Sequence, residues 1–200
     1  MKITSLKAQL KNPDRISIFV DGVYSFSLSI NEVLEHKLVK NMDLSESDVT
    51  VYKKISSDGK VRARTYEWLL IRPRSTKELQ EYLYKKKVDK TLSGKLESEF
   101  VKSGILSNDR FTEWSVERLT RKNKSIRAIT NELKSKGISE ETIHNVVSRE
   151  STSDKEMLKK LIDKVGSRPR YSDQKKLIAY LLTKGFHYTD IKEVLAITEP

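Results

Sequence analysis

Cysteine is missing from this 200-residue chain, which removes disulfides, thiolate catalysis and cysteine-based zinc sites together and fits a reducing compartment. Long apolar runs are missing as well. No segment approaches the roughly 18 consecutive apolar residues of a membrane span, and Met1-Lys2-Ile3-Thr4 opens no secretory-type apolar stretch. The expectation is a soluble cytoplasmic protein that does not engage a membrane. Catalytic signatures are absent too. His36, His144 and His187 stand alone, without H-x-x-x-H or H-E-x-x-H spacing, and Gly94-Lys95 lacks the upstream glycine of a phosphate-binding loop. No G-x-G-x-x-G or G-x-S-x-G occurs. Carboxylates are scattered, mostly beside Lys or Arg, as on solvated helices. The chain therefore reads as a non-enzyme with no cofactor and no metal. Aromatic residues are sparse (2 Trp, 8 Tyr, 5 Phe), so stacking on bases would fall to few rings, with Tyr66, Trp68, Tyr82, Tyr84, Trp114 and Tyr171 as candidates.

Positive charge is what the sequence has in excess. The formal net charge is +11, and it is not evenly spread. Residues 1–58 hold 8 basic and 8 acidic side chains, whereas residues 59–200 hold 31 and 20. A surplus confined to one region is the footprint of a polyanionic partner: nucleic acid, an anionic membrane or an acidic protein. Hydrophobic content of 36% beside 34% charged residues is polar for a compact globule. It suits repeat units that each bury a thin core against a neighbour.

The first 30 residues read as β-structure. Ile16–Val20 and Val23–Leu28 flank Asp21-Gly22, the dipeptide of a type I′ hairpin turn. Lys2–Leu10 can supply a third strand. Ile30–Leu38 and Ser45–Ile55 have helical spacing, with Ser45 and Asp48 placed as a capping box.

From about residue 60 the pattern is helical and it repeats. Ile129, Leu133, Ile138, Ile143, Val146 and Val147 recur 48 residues later as Leu177, Leu181, Phe186, Ile191, Val194 and Leu195. Leu79, Leu83 and Val88 form a diverged copy 50 residues upstream. Phasing gives three short helices per copy. The middle one begins after Ser75, Ser125 or Asp173 as N-cap and ends at Lys136-Gly137 or Lys184-Gly185. In the first copy Lys87 precedes Val88, so the glycine cap is missing there. The expected architecture is mainly α: tandem three-helix repeats at 59–107, 108–150 and 151–200, stacked as an elongated curved rod behind a small, neutral, β-rich extension at 1–58.

Alignment of the copies brings out three basic columns: Arg72, Lys122 and Arg170; Lys77, Arg127 and Lys175; Lys86, Lys136 and Lys184. The first lies in the loop before the middle helix, beside Arg74, Arg121, Lys124 and Arg168. The second lies on that helix's first turn, with Lys176 next to it in the third copy. Basic side chains on a first turn oppose the helix dipole, a local conflict that a bound phosphate would relieve. A solvated basic face is the plainer reading. The third column sits at the helix C-terminus, where lysine is stabilising in any case. No set of side chains is arranged to read base edges, so DNA binding would be largely independent of sequence.

The run Tyr66-Glu67-Trp68-Leu69-Leu70-Ile71-Arg72-Pro73-Arg74-Ser75-Thr76-Lys77-Glu78-Leu79, followed by Leu106-Ser107-Asn108-Asp109-Arg110-Phe111 and by the two Lys-Gly helix ends, resembles the RecX family. The resemblance covers nearly the whole chain. It departs from the common pattern at Lys85-Lys86-Lys87-Val88, where a glycine is usual. It implies tandem three-helix repeats and no catalysis. It also implies a monomer that binds the groove of the RecA filament on single-stranded DNA, double-stranded DNA being left open, and that inhibits ATP hydrolysis, strand exchange and co-protease activity. The setting would be recombination, DNA repair and the SOS response. On this reading Arg72, Arg74, Lys77, Lys86, Arg121, Lys122, Lys124, Arg127, Lys136, Arg168, Arg170, Lys175, Lys176 and Lys184 face the filament, and glutamate in the second column would weaken inhibition while leaving the helical circular dichroism intact. A stand-alone DNA-binding module and a helical protein-interaction scaffold are the alternatives.

Overall fold

The computed structural model describes residues 1–10, 12–149 and 153–196, which divide into two units. The first holds residues 1–71 together with 90–92; the second holds the remainder.

Three strands begin the first unit: β1 (Ile3–Gln9), β2 (Asn12–Val20) and β3 (Val23–Ser29), antiparallel in the order β1-β2-β3. Asp21 and Gly22 take φ of 49° and 83°, the pair of positive angles that a two-residue type I′ turn needs. Val20 then faces Val23 across the hairpin. Ile3, Ile18, Val20, Phe26 and Leu28 form one apolar face, buried with Leu38, Leu44 and Val49. A lone three-stranded sheet needs such cover. Helix α1 (Ile30–Glu35) and helix α2 (Glu46–Leu70) supply it, and Tyr52 of α2 stacks on Phe26 at 5.5 Å between centroids. Both helices start in complete capping boxes, Ser29 with Glu32 and Ser45 with Asp48.

At 25 residues, α2 is far longer than the short helices that the repeat spacing predicts. Gly59 sits inside it without a break. A Cβ there would lie 2.9 Å from Glu32 Oε1, so the glycine admits the α1 carboxylate, at about 1 kcal/mol of helix propensity relative to alanine.

The second unit carries the repeats. Helices α3 (Thr76–Lys85) and α4 (Lys90–Lys102, whose first turn belongs to the first unit) bury Leu79, Leu83, Leu96 and Phe100. The second copy is α5 (Asn108–Arg121), α6 (Ile126–Ser135) and α7 (Glu140–Val147). Its core gathers Ile129, Leu133, Ile138 and Ile143 around Phe111, Val116 and Leu119, with Val146 and Val147 packed on it. The third copy is α8 (Asp154–Val165), a 3-10 turn at Pro169–Tyr171, α9 (Gln174–Thr183) and α10 (Tyr188–Val194). Leu177, Leu181, Phe186 and Ile191 repeat the pattern against Leu158, Leu161 and Val165, and Val194 and Leu195 again pack on the cluster. The boundary expected between residues 150 and 151 lies outside the described residues. Among the described residues no helix is long and apolar enough to cross a membrane.

Candidate nucleic-acid interface

The basic columns surround the ends of α3, α6 and α9, whose N-caps are Ser75, Ser125 and Asp173. Ser75 and Ser125 are wholly buried, and each hydroxyl accepts the N–H of the third helical residue, Glu78 or Ala128, at 3.1 Å. The first helical N–H is taken by the next copy. Thr76 N donates to Asn108 Oδ1 at 3.0 Å, and Ile126 N donates to Asp154 Oδ1 at 2.6 Å. Asn108 and Asp154 open α5 and α8. A protein oxygen therefore already occupies the place that a phosphate would take at these two N-termini.

The bases around these N-termini reach the C-terminal end of the following middle helix. Lys77 Nζ donates to Ser135 O at 2.9 Å. One copy on, Lys124 Nζ donates to Thr183 O at 2.8 Å, Arg127 Nε to Gly185 O at 3.0 Å, and Ser125 N to Lys184 O at 3.0 Å. Lys184 Nζ returns the contact to Lys122 O at 2.9 Å. A C-terminus offers unpaired carbonyls and the negative end of the dipole. The apparent conflict of a base on a helix's first turn is thus resolved by the next helix, an arrangement with no signature in the sequence of either helix alone.

The joint between the first and second copies adds a charge network. Arg72 donates to both Glu78 carboxylate oxygens, at 3.0 and 2.9 Å, and Lys136 lies 3.6 Å from the same group. Burial pushes the Glu78 carboxyl up, but the Arg72 hydrogen bonds and the charges of Arg72, Lys136 and Arg74 outweigh it and hold the group below its usual range. Arg74 shifts down, chiefly through burial and then through repulsion from Arg72. The guanidinium carbons of Arg72 and Arg118 each lie 5.0 Å from the Trp114 ring centroid, and Arg118 pairs with Glu132 at 2.7 Å. At the second joint Ala128 stands at the position of Glu78 and, counted from the helix starts Asn108 and Asp154, Lys160 stands at that of Trp114; a cavity of about 170 Å³ opens beside Val116, Ile129, Val147, Met157 and Lys160.

The two Lys-Gly ends are shaped by the same stacking. Gly137 and Gly185 take φ of 76° and 96°. A Cβ on Gly185 would come within 2.5 Å of Ala128 Cβ and 2.7 Å of Ser125 Oγ, and one on Gly137 within 3.1 Å of Lys77 Cβ. In the first copy the cap is not lost: exposed Lys87 takes the left-handed position at φ 55°, and Val88 N still reaches Leu83 O at 3.1 Å.

Of the remaining expected site residues, Arg121 pairs with Glu117 on its own helix, Lys86 lies 5.9 Å from the Tyr82 ring centroid, and Lys176 lies 4.0 Å from Asp173. The side chains of Lys122, Arg168 and Lys175 are exposed and make no ion pair or hydrogen bond with another described residue; Arg170 lies against the Tyr171 ring. Among the described residues no group of three or more His, Asp or Glu side chains is placed to share a metal ion.

Residues 1–45 match the family model described as the regulatory protein RecX N-terminal domain. The regulatory protein RecX of Bacillus licheniformis is 31% identical over 205 residues, covering 98% of this chain and 77% of the relative. That of Listeria monocytogenes serovar 1/2a is 28% identical over 194 residues, covering 93% and 71%. Two solved structures share the fold. A crystal structure of regulatory protein RecX has a TM-score of 0.72 at 20% identity, covering 98% of both chains, and that of RecX from Lactobacillus salivarius has a TM-score of 0.56 at 19% identity, covering 70% of this chain and 94% of the other. Matched along nearly its whole length by proteins of this kind, the chain belongs to the RecX family of regulatory proteins.

Proposed function

We propose that this RecX-family chain binds the RecA filament assembled on single-stranded DNA and lowers its ATP hydrolysis, strand exchange and co-protease activity, acting in the cytoplasm as a monomer in recombination, repair and control of the SOS response. Family membership supports the partner. The observation that carries the reading is the set of cations left over once the repeats have been joined. Lys77, Lys124, Arg127 and Lys184 satisfy carbonyls of neighbouring copies, whereas Lys122, Arg168, Arg170 and Lys175 point their charge outward with no carboxylate partner among the described residues. Such a surface attracts a polyanion without reading its sequence. Several copies presented to a filament of identical subunits also gain by multivalency.

The test is DNA-dependent ATP hydrolysis by the cognate RecA on single-stranded DNA, with the chain titrated below the concentration that coats the DNA. Inhibition at these substoichiometric levels is expected. An effect that begins only when the DNA is saturated overturns the proposal in favour of a stand-alone DNA-binding module.

A further inference from the structure

The third copy has no successor among the described residues. In the first two, the loop before the middle helix and its first turn dock against the next copy. Two carboxylates also neutralise charge at the first joint, Glu78 with Arg72 and Lys136, and Glu132 with Arg118. At the corresponding positions the third copy has Lys176 in place of Glu78 or Ala128, and Tyr180 in place of Glu132, a tyrosine shared with Tyr82 of the first copy. Tyr171 stands where the first two copies have Pro73 and Asn123. Neither acid is present in the third copy, Lys176 and Tyr171 are new to it, and it alone has tyrosines at both the second and third of these positions.

These substitutions converge in space. The Tyr171 and Tyr180 rings pack at 4.9 Å between centroids, tilted by 35°. Arg170 lies 5.9 Å from the Tyr171 centroid, and Lys184 lies 5.2 Å from that of Tyr180. Arg170, Tyr171, Lys176, Ala179, Tyr180 and Thr183 line a surface hollow of about 560 Å³, inside the range of about 300–1,000 Å³ typical of ligand clefts. Both rings are only half-buried, and Arg168, Arg170, Lys175 and Lys176 are exposed around them. Asp173 is the nearby acid; it caps α9 through Lys175 N and lies 4.0 Å from Lys176.

We propose that this hollow is a nucleotide-binding site for single-stranded DNA, in which one base extends the Tyr171–Tyr180 stack and the flanking phosphates meet Arg168, Arg170 and Lys176. A phenol face accepts any base, and cations spaced around it track a backbone, the usual composition of sequence-tolerant single-strand sites. An acidic peptide would use the cations but gain nothing from the rings. The inference rests on the proposed function and refines it: the third copy holds the DNA strand, which leaves the other copies to meet RecA.

The test uses the full chain without RecA. Fluorescence anisotropy would compare a labelled oligothymidylate with an abasic strand of equal length and charge. The wild type should bind the base-bearing strand about tenfold more tightly, since one stacked base typically contributes about that much. Tyr171→Ala and Tyr180→Ala should each erase the preference, whereas Tyr171→Phe and Tyr180→Phe should keep it. Equal binding of the two strands by the wild type would overturn the site, as would alanine variants that retain the preference. Because both tyrosines pack on the core of their repeat, photocrosslinking of a 5-iododeoxyuridine strand to the unaltered chain provides an independent readout. Attachment at Tyr171 or Tyr180 is expected, and attachment confined to other residues refutes the proposal. RecA ATPase measured in parallel keeps the two readings apart. Inhibition without crosslinking at these tyrosines removes the site alone, and crosslinking without inhibition removes the RecA reading alone.

Discussion

Lys77 and Ser135 are 58 positions apart in the chain, and the lysine ammonium donates to the serine's backbone carbonyl at 2.9 Å. Arg127 and Gly185 stand in the same relation one copy later. Charge reversal at these two bases is therefore expected to act on stability as well as on partners. Lys77→Glu and Arg127→Glu should each cost about 0.5–1.5 kcal/mol, read as a lower urea midpoint, whereas Arg168→Glu and Lys175→Glu should stay within about 0.5 kcal/mol of the parent and still weaken RecA inhibition. A common midpoint for all four variants would contradict the division of the basic columns into joint and surface residues.

The left-handed helix ends make a graded prediction. Gly185→Ala meets both a forbidden backbone angle and Ala128 Cβ at 2.5 Å, and should destabilise by about 2–4 kcal/mol. Gly137→Ala shares the left-handed backbone strain, at φ 76°, but its Cβ meets the flexible Lys77 side chain at 3.1 Å, and it should cost about 1–2 kcal/mol. Lys87→Gly relieves a left-handed lysine and should stabilise by up to about 1 kcal/mol. Chemical denaturation of the three variants gives the ranking directly, and a Gly137→Ala protein weaker than Gly185→Ala would reverse it.

Asp154 and Asn108 each cap a helix belonging to the preceding copy. Asp154→Ala and Asn108→Ala should each cost about 0.5–2 kcal/mol, and Asp154→Asn, which keeps the accepting oxygen, should restore most of the loss. Amide hydrogen exchange at Ile126 is the local reporter. Unchanged protection there in Asp154→Ala would show that the cap contributes nothing.

Glu78 gives the first joint a pH dependence. Its carboxyl titrates lower in the fold than its ordinary value of 4.5, so the unfolded chain binds the proton more readily. The contribution of Glu78 is full above the unfolded value and is lost as pH falls from about 4.5 through the lower folded value. Glu78→Gln removes this dependence. The stability gap between parent and variant should be constant at neutral pH and narrow on acidification below about 4.5; a gap that widens would have the wrong sign.

Much of the fold was legible because local rules and burial agree. Asp21-Gly22 announced the hairpin, Ser45 with Asp48 announced the start of α2, and the 48-residue recurrence named the cores of the second and third copies residue by residue. The full reach of α2 was hidden because its buried positions include Ser56 and Thr65. Ser56 Oγ accepts from Ser27 N of β3 and Thr65 donates to Val61 O within the helix, so both are buried as polar residues and interrupt the apolar period. The site was legible as a list of bases and illegible as an arrangement. Which carbonyl a lysine meets about 60 positions away depends on how one repeat rests on the next, and hydrophobic periodicity does not encode that.

Lys87 has a consequence for self-assembly. A stack of similar units carries complementary ends, and an open pair of such ends can concatenate copies of a protein into filaments. The two internal joints require glycine at the receiving helix end. The receiving end of the first copy presents a lysine side chain in that place instead, and the docking end of the third copy offers Lys176 where Ala128 fits closely against Gly185. Bulk and like charge would meet at the point where two chains would have to join. The close fit that joins the repeats internally is therefore not reproduced at these two ends.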